Sequence, residues 1–179
     1  MTIFDPSDDY LDSPRRPRRE PYDESQYETF VQSVLDALGL GVYTVDLSFV
    51  PAEDIRNLNK LYRGKDYPTD VLSFPLCEWP SPLLVSDAAL QQKSAHAIEE
   101  PLLGDIVICP EIAATQAAEI GQSMDREICF LIVHGILHLC GHDHEESADE
   151  TLMIEQQQLL MKRLYTDALA ADFGAGEGQ

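Results

Sequence analysis

Positive charge is scarce in this sequence. Lys and Arg total 12 against 32 Asp and Glu, a formal net charge of −20 over 179 residues. Such a surface repels polyanions at long range, which counts against nucleic acid as a partner. A blander account is that the acidic residues keep the chain soluble. Long apolar runs are also lacking. The run nearest the histidines, ICFLIV at 128–133, falls far short of the roughly 20 residues of a membrane-spanning helix, so no membrane segment is expected. Cysteines are few, and Cys77, Cys109, Cys129 and Cys140 form no CxxC pair. The opening MTIFDPSDDYLDSP is polar and acidic, unlike a secretory leader. Together these absences point to a cytoplasmic chain with reduced, mostly buried thiols.

What is present reads as one domain. Residues 1–22 form a mobile tail in this reading, with a basic cluster at Arg15, Arg16, Arg18 and Arg19. Residues 171–179 read as a disordered C-terminus. The 23–170 body is long enough to bury a sizeable core and shows neither a repeat nor a second unit. Helical periodicity places Phe30, Val31, Val34, Leu35 and Leu38 on one face, stopped near Gly39. A strand is expected at 42–50, a helix at 51–62 ended by Gly64, and strands at 69–74 and 104–110. Helices follow at 110–121, 124–140 and 146–170, while 75–103 holds one amphipathic turn or two. This order predicts an α+β fold: a small mixed sheet of about four strands packed with about five helices.

Four of the five histidines lie in HGILHLCGHDH, His134 to His144. The preceding helix is apolar nearly all round, so it is buried. His134 and His138 are four apart and share one helical face, which lets both imidazoles point at one ion. Gly141 can take the left-handed conformation that ends a helix and turns the chain back. His144, three residues on, can then return as a third ligand and leave a fourth position open, the plan of a catalytic centre. His142 competes for that place but lies only one residue past the turn. Asp143 can orient a ligand imidazole. All-nitrogen ligands favour zinc among divalent ions. The bland alternative is a set of core histidines, each needing partners for both ring nitrogens; a shared metal supplies one partner to all three. His96 stands alone in a polar stretch, and there the bland account holds.

H-x-x-x-H-x-x-G-x-x-H is also the spacing of metzincin peptidases, whose general base is a glutamate directly after the first histidine. Gly135 stands there instead. That argues against peptide cleavage by the same route, and the missing side chain is expected to leave room beside the ion for a bulky substrate. Four of the eight basic residues outside the tail (12 less four) fall within ten positions: Arg56, Lys60, Arg63 and Lys65. They form either a solvated helix face or a phosphate contact. Asp70 either caps a turn or serves the site.

HGILHLCGHDH resembles the H-G-x-L-H-L-x-G-x-D-H signature of the YbeY family, bacterial endoribonucleases and rRNA maturation factors. LNKLYRGKDYPTDVLSFP, LGDIVIC and MIEQQQ resemble further stretches of that family in the same order, spanning about 42–165. The resemblance implies a single-strand-specific, metal-dependent RNA hydrolase acting in ribosomal RNA processing, notably at the 16S rRNA 3′ end, and in ribosome quality control. It implies metal ligation by His134, His138 and His144 and a functional role for Arg63. His142 departs from the family pattern, which commonly has an aromatic or another residue there. The segment 77–102 is longer than in compact members, and the Arg-rich tail is not shared.

The leading expectation is therefore metal-assisted hydrolysis of RNA phosphodiesters. His134, His138 and His144 hold one divalent ion, and Arg63 stabilises charge developing on the phosphate. Arg56, Lys60 and Lys65 are candidate RNA contacts. Partners would be a single-stranded rRNA precursor and the small ribosomal subunit or one of its proteins. Two rivals stay open: a metallopeptidase-like hydrolase, and a ribosome assembly factor with a structural metal.

Overall fold

The computed structural model describes residues 23–85, 101–143 and 147–166. The expectations for the two termini, for His96 and for His144 concern positions outside these. A short 3-10 turn, Glu24–Tyr27, leads into α1 (Glu28–Ala37). Then come β1 (Thr44–Phe49), α2 (Ala52–Arg63), β2 (Val71–Pro75), β3 (Leu102–Ile108), α3 (Pro110–Ile120), α4 (Met124–Leu139) and α5 (Ser147–Leu164).

The sheet has the order β1-β3-β2. The central β3 runs parallel to β1, with Phe49 opposite Ile108, and antiparallel to β2, with Val71 opposite Ile108. The fold is thus α+β with a mixed sheet and five α-helices, as expected, but with three strands among the described residues rather than four. Residues 76–85 carry Pro80 and Pro82, which cannot donate to a ladder. Their amides turn elsewhere: Leu76 N–H to the Leu103 carbonyl, Leu83 N–H to the Cys140 carbonyl, Val85 N–H to Gln156 Oε1. This stretch is a strap, tied to β3 at its start and to α4 and α5 further on, and not a strand.

Alternation along β3 explains the layers. Ile106 and Ile108 point into the main core with α1, α4 and α5. Val107 points the other way, onto Ile55 of α2 and Leu72 of β2. Covered on both faces, β3 reads as a nearly continuous apolar run. All four cysteines are free, and Cys109, Cys129 and Cys140 are buried. No helix among the described residues is long and apolar enough to cross a membrane.

α4 is the central helix. The Ser123 hydroxyl caps its start by accepting from the Arg126 N–H. At its other end Gly141 adopts φ +86°. Gly141 N–H donates to the His138 carbonyl and His142 N–H to the Leu137 carbonyl, which satisfies carbonyls the helix would leave open.

Gly135 corrects an expectation. A Cβ there would sit 2.9 Å from Ile106 Cδ1 and 3.0 Å from its Cγ2. The missing side chain therefore faces β3, not the side where the histidine rings lie. Gly135 lets α4 lie close on the sheet and makes no room for substrate.

Candidate metal centre

His134 and His138 occupy successive turns of α4, and their Nε2 atoms approach to 3.1 Å. The rings meet at 77° with centroids 4.7 Å apart. Each Nδ1 faces an oxygen: the His142 carbonyl at 2.9 Å from His138, and Gln157 Oε1 at 3.3 Å from His134. Carbonyl oxygens only accept, so each neutral ring carries its proton on Nδ1 and a lone pair on Nε2. Two lone pairs facing each other across 3.1 Å repel unless a cation or proton joins them. Outer oxygens holding Nδ1–H while Nε2 converges is the arrangement that orients imidazole ligands. The donor set fits a divalent ion that accepts imidazole. No group of three or more His, Cys, Asp or Glu able to hold a metal occurs among the described residues; the third expected ligand, His144, lies outside them.

Gln157 is held in turn by donating its amide to the Phe130 carbonyl at 3.2 Å. It is buried on α5 between Met153 and Leu160. The sequence signal that could have found it is a polar residue on an otherwise apolar helical stripe.

His142 is 3% exposed. Its Nε2–H donates to the Leu83 carbonyl at 2.7 Å, and its Nδ1 has no hydrogen-bond partner. The Trp79 indole N–H donates to the Leu139 carbonyl nearby. His142 thus pins the 76–85 strap to the end of α4, while its own carbonyl positions His138.

A groove of about 790 Å³ opens beside the pair and is lined in part by Arg63, Asp70, His134, His138, His142 and Asp143. Residues far apart in sequence are thereby gathered at one place. Arg56, Lys60 and Lys65 do not line it. Arg56 Nε and Lys60 Nζ each lie 2.8 Å from the Asp66 carboxylate. Those hydrogen bonds, Lys60 first and Arg56 second, hold the Asp66 carboxyl below its usual range. Exposed pairs of this kind add little stability, but they occupy two of the four cations.

Asp70 does two things. Its Oδ1 accepts from Thr69 Oγ1 and Val71 N–H, which caps the entry to β2, and its Oδ2 accepts from Gln116 Nε2 at 3.0 Å. Behind it, burial pushes the Glu127 carboxyl up, against a lowering hydrogen bond from Gln122; the charge of Asp70 adds to the rise.

The fold and site together define an α+β protein with a histidine-based candidate metal centre opening onto a groove that carries Arg63. The comparisons agree on where such a protein belongs. The family described as Endoribonuclease YbeY matches residues 15–165, and the chain belongs to that family. An Endoribonuclease YbeY of Caldanaerobacter subterraneus subsp. tengcongensis is 47% identical over 120 residues, 67% of this chain and 73% of that one. An Endoribonuclease YbeY of Caldicellulosiruptor saccharolyticus is 40% identical over 144 residues, 78% and 87% of the two chains. A solution structure of a Thermotoga maritima protein superposes with a TM-score of 0.57 at 25% identity, covering 90% of this chain and 96% of that one.

Proposed function

We propose that this chain is an endoribonuclease that hydrolyses single-stranded RNA at the groove beside His134 and His138, with the 23–170 body as one catalytic unit. The observation that carries the reading is the converging Nε2 pair in the same groove as Arg63, in a chain whose relatives are named endoribonucleases. His134, His138 and His144 would hold one divalent ion, zinc by preference for nitrogen ligands. That ion would supply Lewis acidity at the phosphate.

This chain's own residues do the rest. Gln157 and the His142 carbonyl keep both Nε2 lone pairs aimed at one point. Arg63 offers its planar fork to phosphate oxygens as charge develops on them. A net charge of −20 gives no long-range pull on RNA. Recognition is therefore local, in the cytoplasm, on an rRNA precursor presented by the small subunit or one of its proteins, at the 16S 3′ end and in ribosome quality control. Orientation of an imidazole by Asp143, on the groove rim, belongs to the same proposal.

The test pairs a single-stranded rRNA precursor with casein, each with and without chelator. RNA cleavage that disappears on chelation and in Arg63→Ala is the expected result. Casein cleavage with intact RNA overturns the proposal in favour of a peptidase. Ribosomal binding without cleavage of either overturns it in favour of an assembly factor with a structural metal. A 2′,3′-cyclic phosphate on the products would show attack by the RNA's own 2′-OH; 5′-phosphate and 3′-hydroxyl ends, which 2′-OH attack cannot give, would show attack by water.

A further inference from the structure

Arg63 has an aromatic neighbour on the same wall of the groove. Tyr62 precedes it in the last turn of α2, and its ring lies 5.0 Å from that of Phe74 at 65°. Both rings line the groove with the histidine pair. Packing of α2 on β2 accounts for their contact, but packing alone would bury the tyrosine, and Tyr62 is 63% exposed. Leu61, Tyr67 and Leu76 are also exposed, yet none of them lines the groove. Tyr62 is therefore a large ring braced on one side and open where substrate would lie.

We propose that Tyr62, braced by Phe74, is a stacking subsite for one nucleobase of a single-stranded RNA whose adjacent phosphate meets Arg63. The subsite rests on the reading of the groove as an RNA site. A tyrosine next to an arginine presents an aromatic face beside a cation, matching the base and phosphate of one nucleotide. Stacking is sequence-tolerant, because every base has a π-face. In a duplex those faces are covered by neighbouring bases, so the subsite favours unpaired RNA. It also suits an acidic chain: stacking acts at contact range and is screened little by salt, so it supplies affinity where bulk charge does not.

The test uses the full-length, metal-loaded protein. Fluorescence anisotropy reads binding of a labelled 2′-O-methyl oligouridylate and of an abasic ribose-phosphate oligomer of equal length. Tyr62→Ala is expected to weaken oligouridylate binding roughly tenfold and to leave abasic binding unchanged, while Tyr62→Phe stays near wild type. Equal loss on both probes, or no loss on the base-bearing one, overturns the subsite. Tyr62→Trp gives a second reading that does not depend on the alanine variant folding. Its added emission should be quenched by oligouridylate and not by the abasic oligomer; absence of quenching also overturns the subsite. Cleavage of single-stranded RNA by the wild type is scored separately. Stacking without cleavage removes the nuclease reading alone, and cleavage without stacking removes the subsite alone.

Discussion

His134 and His138 hold their Nε2 atoms 3.1 Å apart while both Nδ1 atoms face oxygens. Neither ring can rotate to relieve that approach without giving up the Nδ1 bond. A cation between them resolves the repulsion and is set up by it. His134→Ala or His138→Ala should therefore abolish metal retention. Metal content after gel filtration checks this; full metal in either variant would remove that histidine from the centre.

Gln157 orients the first of these rings from the adjacent helix. Gln157→Leu keeps the bulk but removes the oxygen facing His134 Nδ1. Metal affinity should fall by about 10- to 100-fold, the range found for such outer partners. Gln157→Glu, which keeps an acceptor, should retain most of it. Competition against a chromophoric chelator gives the constants, and an unchanged affinity in Gln157→Leu would remove this role.

Much of the candidate site's geometry was legible because its signals are local. Helical spacing aligned His134 with His138, and Gly141 announced the turn now seen at φ +86°. What escaped depends on contacts between distant segments. α4 is apolar nearly all round, so periodicity does not say which face meets the sheet. Gly135 was therefore assigned to the metal side, although it packs on Ile106. Asp66 returns to Arg56 and Lys60 through the turn at Gly64, whose left-handed conformation no spacing rule relates to ion pairing. The expected strand count of about four had no fourth segment assigned to it, and the described residues form three strands; Pro80 and Pro82 keep the 76–85 strap out of the ladder.

Arg63 and Arg56 should separate cleanly. Arg63 lines the groove, and among the described residues it has no hydrogen bond or ion pair; Arg56 is held by Asp66 and lies away from it. Arg63→Ala should lower RNA cleavage by about 100-fold or more, as for removal of one donor to a developing anion. Arg63→Lys should recover part of it, since a point charge replaces a fork. Arg56→Ala should leave turnover unchanged. Single-turnover rates on one oligonucleotide decide, and equal losses in the two alanine variants would sink the distinction.

Asp46 and Asp105 face each other in the β1–β3 register. Burial, and then the charge of Asp46, push the Asp105 carboxyl up. A carboxyl raised by folding binds its proton more tightly in the folded state. Its stabilising contribution is complete below the unfolded carboxylate value and is lost as pH rises through the folded one. At neutral pH the pair is a net cost. Asp105→Asn should add a few tenths to about 1 kcal/mol near pH 7, the size of cross-strand like-charge effects. The gain should fade as pH falls through the raised folded value and be gone below about 4, the ordinary carboxylate value. Urea unfolding at both pH values tests this; a gain that persists in acid would rule out the electrostatic cause.

Gly135 offers the sharpest test of how α4 sits on the sheet. Replacing a helical glycine by alanine normally stabilises by roughly 1 kcal/mol. Here the added methyl would meet three atoms of Ile106, a fully buried β-branched side chain whose χ1 is stiff. Overpacking of this kind costs about 1–3 kcal/mol, so the steric effect should outweigh propensity and Gly135→Ala should lower stability. Ile106→Val removes Cδ1, the nearest of the three atoms, and should relieve part of the clash. The alanine should then cost less in the Ile106→Val background than in the wild type, with a coupling of at least about 0.5 kcal/mol. Urea midpoints of the four proteins in the cycle measure it. Additive effects, or a stabilising Gly135→Ala in the wild type, would mean that α4 does not rest on β3 through this glycine.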